Sequence, residues 1–371
     1  TSISLSHGNE KLQNYFSYAN TTGHGIIGKH NLSKHNLTFR ETSVLLNSRL
    51  KLDGSMNLMR QVVKNKPTVG GFYMNPLVGL YRFPRGEDIA YYKENFEVYD
   101  EGRNLNIQNW HTSYEDFEQN PYWITNRILS KENRMHVIVS LSANLKINDW
   151  LSLQARGNVD YINDKVRQQF YASTAPALAG ANGRYIEMDY QETQYYGDAI
   201  LMMKKQWDAF SLNAALGVSI NDKTVNSTRY DSKTASLKYA NVFNLANIIM
   251  NGSAGLDQKI DARRQLQSLF ATAQLGYNEF VYLDLSARND WSSTLAYTSH
   301  EKSGFFYPSV GFSLIFNKLM TLPQWVSLAK IRGAYSMVGN DIPMFITNPS
   351  SHITAGGEFL ASDAAPFKDM E

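Results

Sequence analysis

Between positions 151 and 161 the chain alternates. Leu151, Leu153, Ala155, Gly157, Val159 and Tyr161 are apolar, small or aromatic, and Ser152, Gln154, Arg156, Asn158 and Asp160 between them are polar. Side chains of a strand point in turn to its two faces, so this segment reads as one strand with an apolar face and a polar face. The same pattern recurs over 135–147, where Met135, Val137, Val139, Leu141, Ala143, Leu145 and Ile147 share a face, and over 210–220, where every even residue is apolar. It recurs over 44–59 with Leu46, Leu50, Leu52, Met56 and Leu58 in phase, more weakly over 269–277, 281–287, 308–316 and 329–337, and in short strands at 3–8 and 15–20. About a dozen strands result, and no amphipathic helix longer than two turns.

The connections are unequal. Asn148-Asp149, Gln206-Trp207-Asp208 and Asn278-Glu279 are short turns of residues that tolerate turn geometry. The stretches 64–133, 164–191, 221–265 and 290–307 are long for a compact domain. Short and long connections alternate, as in a membrane barrel with short turns on one side and long extracellular loops on the other. The strand 151–161 covers about 33 Å at about 3.3 Å per residue. Tilted by about 40°, it spans about 25 Å, the height of a barrel's apolar band. Trp150 and Trp207 then fall near one interface and Tyr161 near the other. The expected fold is all-β, an antiparallel transmembrane β-barrel; a soluble sandwich with the apolar faces buried is the alternative. In the barrel Leu153 faces lipid and Arg156 the lumen, so Leu153→Arg is expected to impair assembly and Arg156→Gln is not.

Composition supports the barrel indirectly. The 371 residues carry 19% charged and 12% aromatic side chains, 22 of them Tyr, with mean hydropathy −0.38. No run approaches the roughly 18 apolar residues of a membrane helix, but averaging over alternating faces hides a barrel. A net charge of +2 does not point to nucleic acid. The absence of cysteine excludes disulfides and thiolate metal sites. The chain opens on an alternating strand at Thr1, which suggests a removed leader or a section of a longer protein.

Chemical motifs are few. Gly23-His24-Gly25-Ile26-Ile27-Gly28 matches a dinucleotide fingerprint in letters, but no helical period follows, so a glycine-rich hairpin is expected. His24, His30 and His35 lack a fixed helical face and read as solvated. Glu115-Asp116-Phe117-Glu118 has oxygen ligands for calcium but no EF-hand spacing, and reads as an acidic loop. Tripeptides such as Asn31-Leu32-Ser33 and Asn251-Gly252-Ser253 match a glycosylation acceptor, a match that arises by chance in polar loops. No nucleophile elbow or zinc-protease pair is present, so no enzyme, metal or cofactor is indicated. The region 64–133 is the most aromatic, with Phe72, Tyr81, Trp110, Tyr114, Phe117, Tyr122 and Trp123 among its rings. Such rings stack on sugars or peptides, or pack the loop on itself.

Five segments resemble the SusC/RagA-type TonB-dependent transporters of Bacteroidetes outer membranes. They are Gly25-Ile26-Ile27, Asn120-Pro121-Tyr122-Trp123, Leu285 to Ser293 with its Arg288-Asn289-Asp290 core, Phe306 to Ser313, and Lys330 to Asp341. They occur in the family's order over nearly the whole chain. The resemblance implies that residues 1–371 belong to a 22-stranded barrel, with about a dozen strands here. It also implies a plug and a TonB box, a SusD-like surface lipoprotein as lid, and oligosaccharide or peptide cargo. No segment here resembles the plug, the TonB box or the C-terminal barrel strands, and 365–371 reads as loop; a section of a longer transporter is expected.

Three functions stay open at this stage: active import of oligosaccharide (or peptide) across the outer membrane, a passive barrel or adhesin, and a soluble carbohydrate-binding module. Candidate ligand contacts are Tyr81, Trp110, Tyr122 and Trp123 as stacking rings and Arg156 and Asp160 as lumen hydrogen-bonders.

Overall fold

The computed structural model describes residues 1–68, 73–112, 118–233, 237–250 and 255–347, and a small hairpin of Ser351–Ile353 with Phe359–Ala361. The sheet strands are β1 (Ser2–Gly8), β2 (Leu12–His24), β3 (Asn31–Leu45), β4 (Leu50–Lys64), β7 (Ile128–Lys146), β8 (Leu151–Phe170), β9 (Arg184–Trp207), β10 (Phe210–Asp231), β11 (Gly255–Tyr277), β12 (Val281–Ser292), β13 (Phe305–Ile315) and β14 (Lys330–Ser336). Between β4 and β7 stand α1 (Pro76–Arg82), α2 (Ile89–Glu94), the hairpin β5 (Glu97–Asp100) with β6 (Leu105–Gln108), and α3 (Pro121–Arg127). The twelve sheet strands pair antiparallel in chain order, with β1 and β14 as the edges.

Register shows how the two faces persist across strands. Leu37, Leu58, Val137, Tyr161 and Thr193 are direct cross-strand neighbours, as are Ala143, Ala155 and Ala199. The apolar face is open to its surroundings: Leu141 is 59% exposed and Leu216 52%. Its lower rim lies beside the short turns, where the Lys205 ammonium stands 5.4 Å from the Trp150 ring and 5.3 Å from the Trp207 ring. Aromatic rings with a snorkelling lysine mark a membrane interface.

Two sequence expectations change. The run 44–59 is not one strand: Leu46, Asn47 and Ser48 take positive φ (51°, 53° and 66°) in the turn between β3 and β4. The outward positions are odd in β3 (Leu37, Phe39, Leu45) and even in β4 (Leu50, Leu52, Met56, Leu58), and the turn residue Leu46 happens to share the even numbering of β4, which hid the switch. The strands also run further than hydropathy suggested, so the connections shrink to 65–127, 171–183, 232–254 and 293–304. Beyond Tyr161, Asn163, Lys165 and Arg167 still point to the apolar side but pair with β9, Lys165 with Asp189 at 3.3 Å and Arg167 with Glu187 at 2.9 Å. Beyond Ile220, Asp222 takes Arg263 in the same way. The strand continues where the apolar band ends, so alternation of hydropathy stops before alternation of geometry does.

The buried apolar residues lie at the opposite, long-loop end. Phe170, Ala179 and Ile186 pack with Met74, Ile128 and Leu178; Tyr185, Leu237 and Ile248 pack with Tyr230 and Phe243.

Candidate functional site

The polar face of the sheet carries cross-strand pairs. Arg134 holds Asp164 at 2.6 Å, His136 meets Asp160 at 2.7 Å, and Arg156 forks onto Asp198 at 2.7 Å. The Tyr196 hydroxyl donates to the same Asp198 at 2.7 Å, and Lys223 reaches Glu192 at 2.6 Å. Amides fill the intervals: Asn158 donates to Ser140 at 3.0 Å and Gln154 to Asn144 at 2.9 Å. Arg156 and Asp160 therefore share a strand and a face, about 13 Å apart at four residues of extended chain. Each already has a partner on a neighbouring strand. The Asp198 side chain is fully covered while that of Arg156 is 46% exposed, so the guanidinium keeps donors open to a solute.

The long-loop layer is built around Asn120. Its side chain caps α3 by accepting from Tyr122 N at 2.8 Å, and its amide donates to the carbonyls of Tyr92 and Asn109 at 2.9 and 2.8 Å. Pro121 takes the first helical position, where a missing N–H costs nothing. Gly79 of α1 lies against this start: a Cβ there would stand 2.6 Å from the Gln119 carbonyl oxygen, so only glycine permits the approach of α1 to α3. Arg127, at the end of α3, forks onto Glu97 of β5 at 2.7 and 2.6 Å and lies 5.1 Å from the Tyr171 ring. Burial pushes the Glu97 carboxyl up, but the bonds from Arg127 and Asn106 and the Arg127 charge outweigh it, and its pKa falls below the ordinary value. The Tyr92 phenol, donating to Glu87 at 2.6 Å, is pushed up to about 12, first by that bond and then by burial.

The six candidate residues separate. Tyr81 is 87% exposed at the end of α1. Tyr122 is half-buried on α3. Trp110 is half-buried in a ring cluster, 5.3 Å from Phe83, 5.2 Å from Tyr92 and 4.6 Å from His111 between centroids. Trp123 requires correction as a stacking ring: it is 1% exposed and its indole donates to Thr174 at 3.1 Å. With no open ring face, it anchors the loop layer to the β8–β9 connection. Arg156 and Asp160 lie on the sheet, on elements other than the rings.

Glu118 is buried beside Arg82, His111 and Thr112, each at 3.2 Å, and so packs the loop. Glu115, Asp116, Phe72, Tyr114, Phe117, Asn251-Gly252-Ser253 and 365–371 lie outside the described residues. Among the described residues no cluster of three metal-ligating side chains occurs. The glycine-rich motif is the β2–β3 hairpin, with Gly25 N bonded to His30 O at 2.9 Å. His24 contacts Asn31 at 2.5 Å and His35 contacts the Tyr18 hydroxyl at 2.7 Å. Sequence reasoning missed Asn120, Glu97 and Arg127 as organisers. The Asn-Pro start was a readable helix-cap signal; the Glu97–Arg127 pair, 30 residues apart, was not.

No protein-family model matches the chain, and no curated protein matches it. Solved structures do. The RagAB peptide transporter superposes with a TM-score of 0.71 at 17% identity, over 96% of this chain and 39% of that one. The RagAB peptide importer in its open-open state gives 0.68 at 16% identity, over 96% and 38%. FpvA of P. aeruginosa, bound to heterologous pyoverdines, gives 0.54 at 13% identity, over 84% and 38%. The chain thus spans about two fifths of the first structures it matches. At these identities the likeness is one of fold: a twelve-stranded antiparallel arc of a transmembrane β-barrel, with short turns at one end and a packed layer of long loops at the other.

Proposed function

We propose that this chain is the central barrel section of an outer-membrane importer driven by TonB. The observation that carries the reading is the pair of opposite faces. One is apolar and open over a membrane-high band; the other is a continuous wall of ion pairs and amides suited to a hydrophilic solute. In a bilayer both sheet edges need partners, which the other strands of such a barrel supply. The plug, the TonB contact and a SusD-like lipoprotein over the loop layer belong to the same proposal, supported by the RagAB likeness and the five resembling segments.

Oligosaccharide is the cargo first expected from the aromatic loop. Tyr81 and Tyr122 remain candidate stacking rings, with Arg156 and Asp160 as hydrogen-bonding groups along the passage. Peptide is the second reading, and two observations favour it. The burial of Trp123 and the packing of Trp110 remove the largest rings from the glycan argument. The two RagAB structures, described as a peptide transporter and a peptide importer, match 96% of this chain.

Native mass spectrometry of the complete protein, released gently from its own outer membrane, tests both. A lipoprotein partner with an oligosaccharide mass series supports glycan import. The same partner with a ladder of peptide masses supports peptide import. A lone protein without partner or ligand would overturn the importer reading in favour of a passive barrel.

A further inference from the structure

Just beyond the apolar band, on the same outward face, three cations stand side by side. Lys64 of β4 is the direct cross-strand neighbour of Lys131 of β7, and Lys131 is that of Arg167 of β8. All three are exposed. They share the face of Leu58, Val137 and Tyr161, because each is an even number of residues from those positions in an unbroken register. Arg60 lies on that face as well, four residues nearer the band than Lys64. Directly opposed like charges on a sheet, with Cβ atoms about 5 Å apart, are destabilising. A polar strand end exposed to water alone has no need of such a row.

The neighbouring groups neutralise one member of it, Arg167, and leave the others. Among the described residues, Arg60, Lys64 and Lys131 make no ion pair, and the carboxylates of this face that adjoin the row lie to one side, on β9. There Glu187 meets Arg167 at 2.9 Å and Asp189 meets Lys165 at 3.3 Å. On the β3 side the face presents Asn31 opposite Lys64 and His35 opposite Arg60, neither of them anionic. The patch begins one step above the aromatic Tyr161 and ends about 15 Å above it, six tilted residues further on. That interval is the headgroup zone of the outer leaflet.

We infer that Arg60, Lys64 and Lys131, with the Glu187-paired Arg167 at their margin, form a docking surface for a phosphorylated glycolipid of the outer leaflet, whose sugar phosphates supply the anions that the first three lack. The chemistry fits: exposed cations clustered next to an apolar band hold anionic lipid, whose acyl chains lie on the band while its phosphates meet the cations. The inference rests on outer-membrane placement and not on any cargo or energy source, so import can stand or fall separately.

The test uses the full-length protein, purified in detergent and checked for folding by heat-modifiable gel mobility. It is titrated with a phosphorylated rough lipopolysaccharide and with the same material dephosphorylated, and bound lipid is read by native mass spectrometry. The variant Lys64→Gln/Lys131→Gln/Arg167→Gln is compared with Lys51→Gln/Lys204→Gln/Lys330→Gln, which removes equal charge from the polar face. The outer-face variant is expected to bind the phosphorylated lipid about a hundredfold more weakly. The polar-face variant should bind as the parent does, and dephosphorylated lipid should bind all three proteins equally weakly. If the triple variant does not fold, Lys131→Gln alone should weaken binding about fivefold and flatten its salt dependence. Equal loss in both triple variants, or equal binding of the two lipids by the parent protein, would overturn the proposal. Uptake measured on the same variants reports on import independently.

Discussion

The membrane band and the loop layer of this chain solve opposite problems with the same residue types. In the band, Leu141, Leu216 and Val218 are more than half exposed, and charged groups such as Asp198 are covered by partners on the polar face. In the loop layer, Trp123, Leu237 and Phe170 are covered almost completely, and Tyr81 and Tyr239 stand in the open. One region is folded for lipid on one side and water on the other; the other region is folded for water all round. Burial is therefore not a single criterion along this chain. An exposed leucine in the band is in its stable environment, and the same exposure in the loop layer would be a defect.

Perturbing each region should produce a different failure. The largest effect is expected for Trp123→Ala, which empties the centre of the loop layer and frees Thr174. Truncation of a buried tryptophan costs about 3–5 kcal/mol. Limited proteolysis should then cut within 65–127 while heat-modifiable mobility of the barrel persists. Loss of the barrel signal would show that the two regions fold as one. Next comes an arginine on the apolar face. Register places Leu141 opposite Gly157, midway between the rims, and Leu153 two residues above the short-turn end. Leu141→Arg should cost about 2–4 kcal/mol and reduce insertion; Leu153→Arg, expected from the sequence pattern to impair assembly, should instead cost at most about 1 kcal/mol, since a long side chain two residues from the rim reaches the interface. Insertion yields of the two variants in outer-membrane fractions decide the point; equal yields would argue against the bilayer as the solvent of this face.

Arg156→Gln is expected to be milder, about 1–2 kcal/mol. From sequence it looked harmless, because a lumen-facing arginine reads as solvated. The covered Asp198 carboxylate changes this, as it would keep only the Tyr196 hydroxyl. The double change Arg156→Gln/Asp198→Asn should recover most of the thermal stability lost by the single one; a double variant no more stable than the single would show that the pair is not coupled.

These cases mark what the sequence could carry. Period-2 alternation exposed the all-β class, the strand count and the outward face, because lipid on one side writes its demand into every second residue. It failed at Leu46–Ser48, where an apolar turn residue hid the switch from odd outward positions in β3 to even ones in β4, and beyond Tyr161 and Ile220, where geometry continued after the lipid signal stopped. Pairs such as Arg156–Asp198 and Glu97–Arg127 depend on register and on loop folding, and no local pattern announces them. The rings of the long loop were visible as a group, but their separation into the buried Trp123 and the open Tyr81 needed the packing of α1 against α3.

The smallest effect expected separates the two regions by pH. Glu97 lies in the loop layer, and its carboxyl is held below the ordinary range although burial alone would raise it. A carboxylate whose folded pKa is depressed contributes stability that is complete above its unfolded value of about 4.3 and is lost as pH falls through the lower folded value. The clamp between β5 and α3 should thus be intact from pH 8 to about 5 and weaken below about 4, by about 1 kcal/mol for a partly exposed pair. Hydrogen exchange of the β5–β6 hairpin followed down in pH reads this directly. Glu97→Gln should lower its protection at neutral pH and remove the acid step, while the amides of β8 in the band, paired with β7 on one side and β9 on the other, should keep the protection they have in the parent protein. An unchanged acid step in Glu97→Gln would assign the transition to another carboxylate and leave the Arg127 contact without energetic consequence.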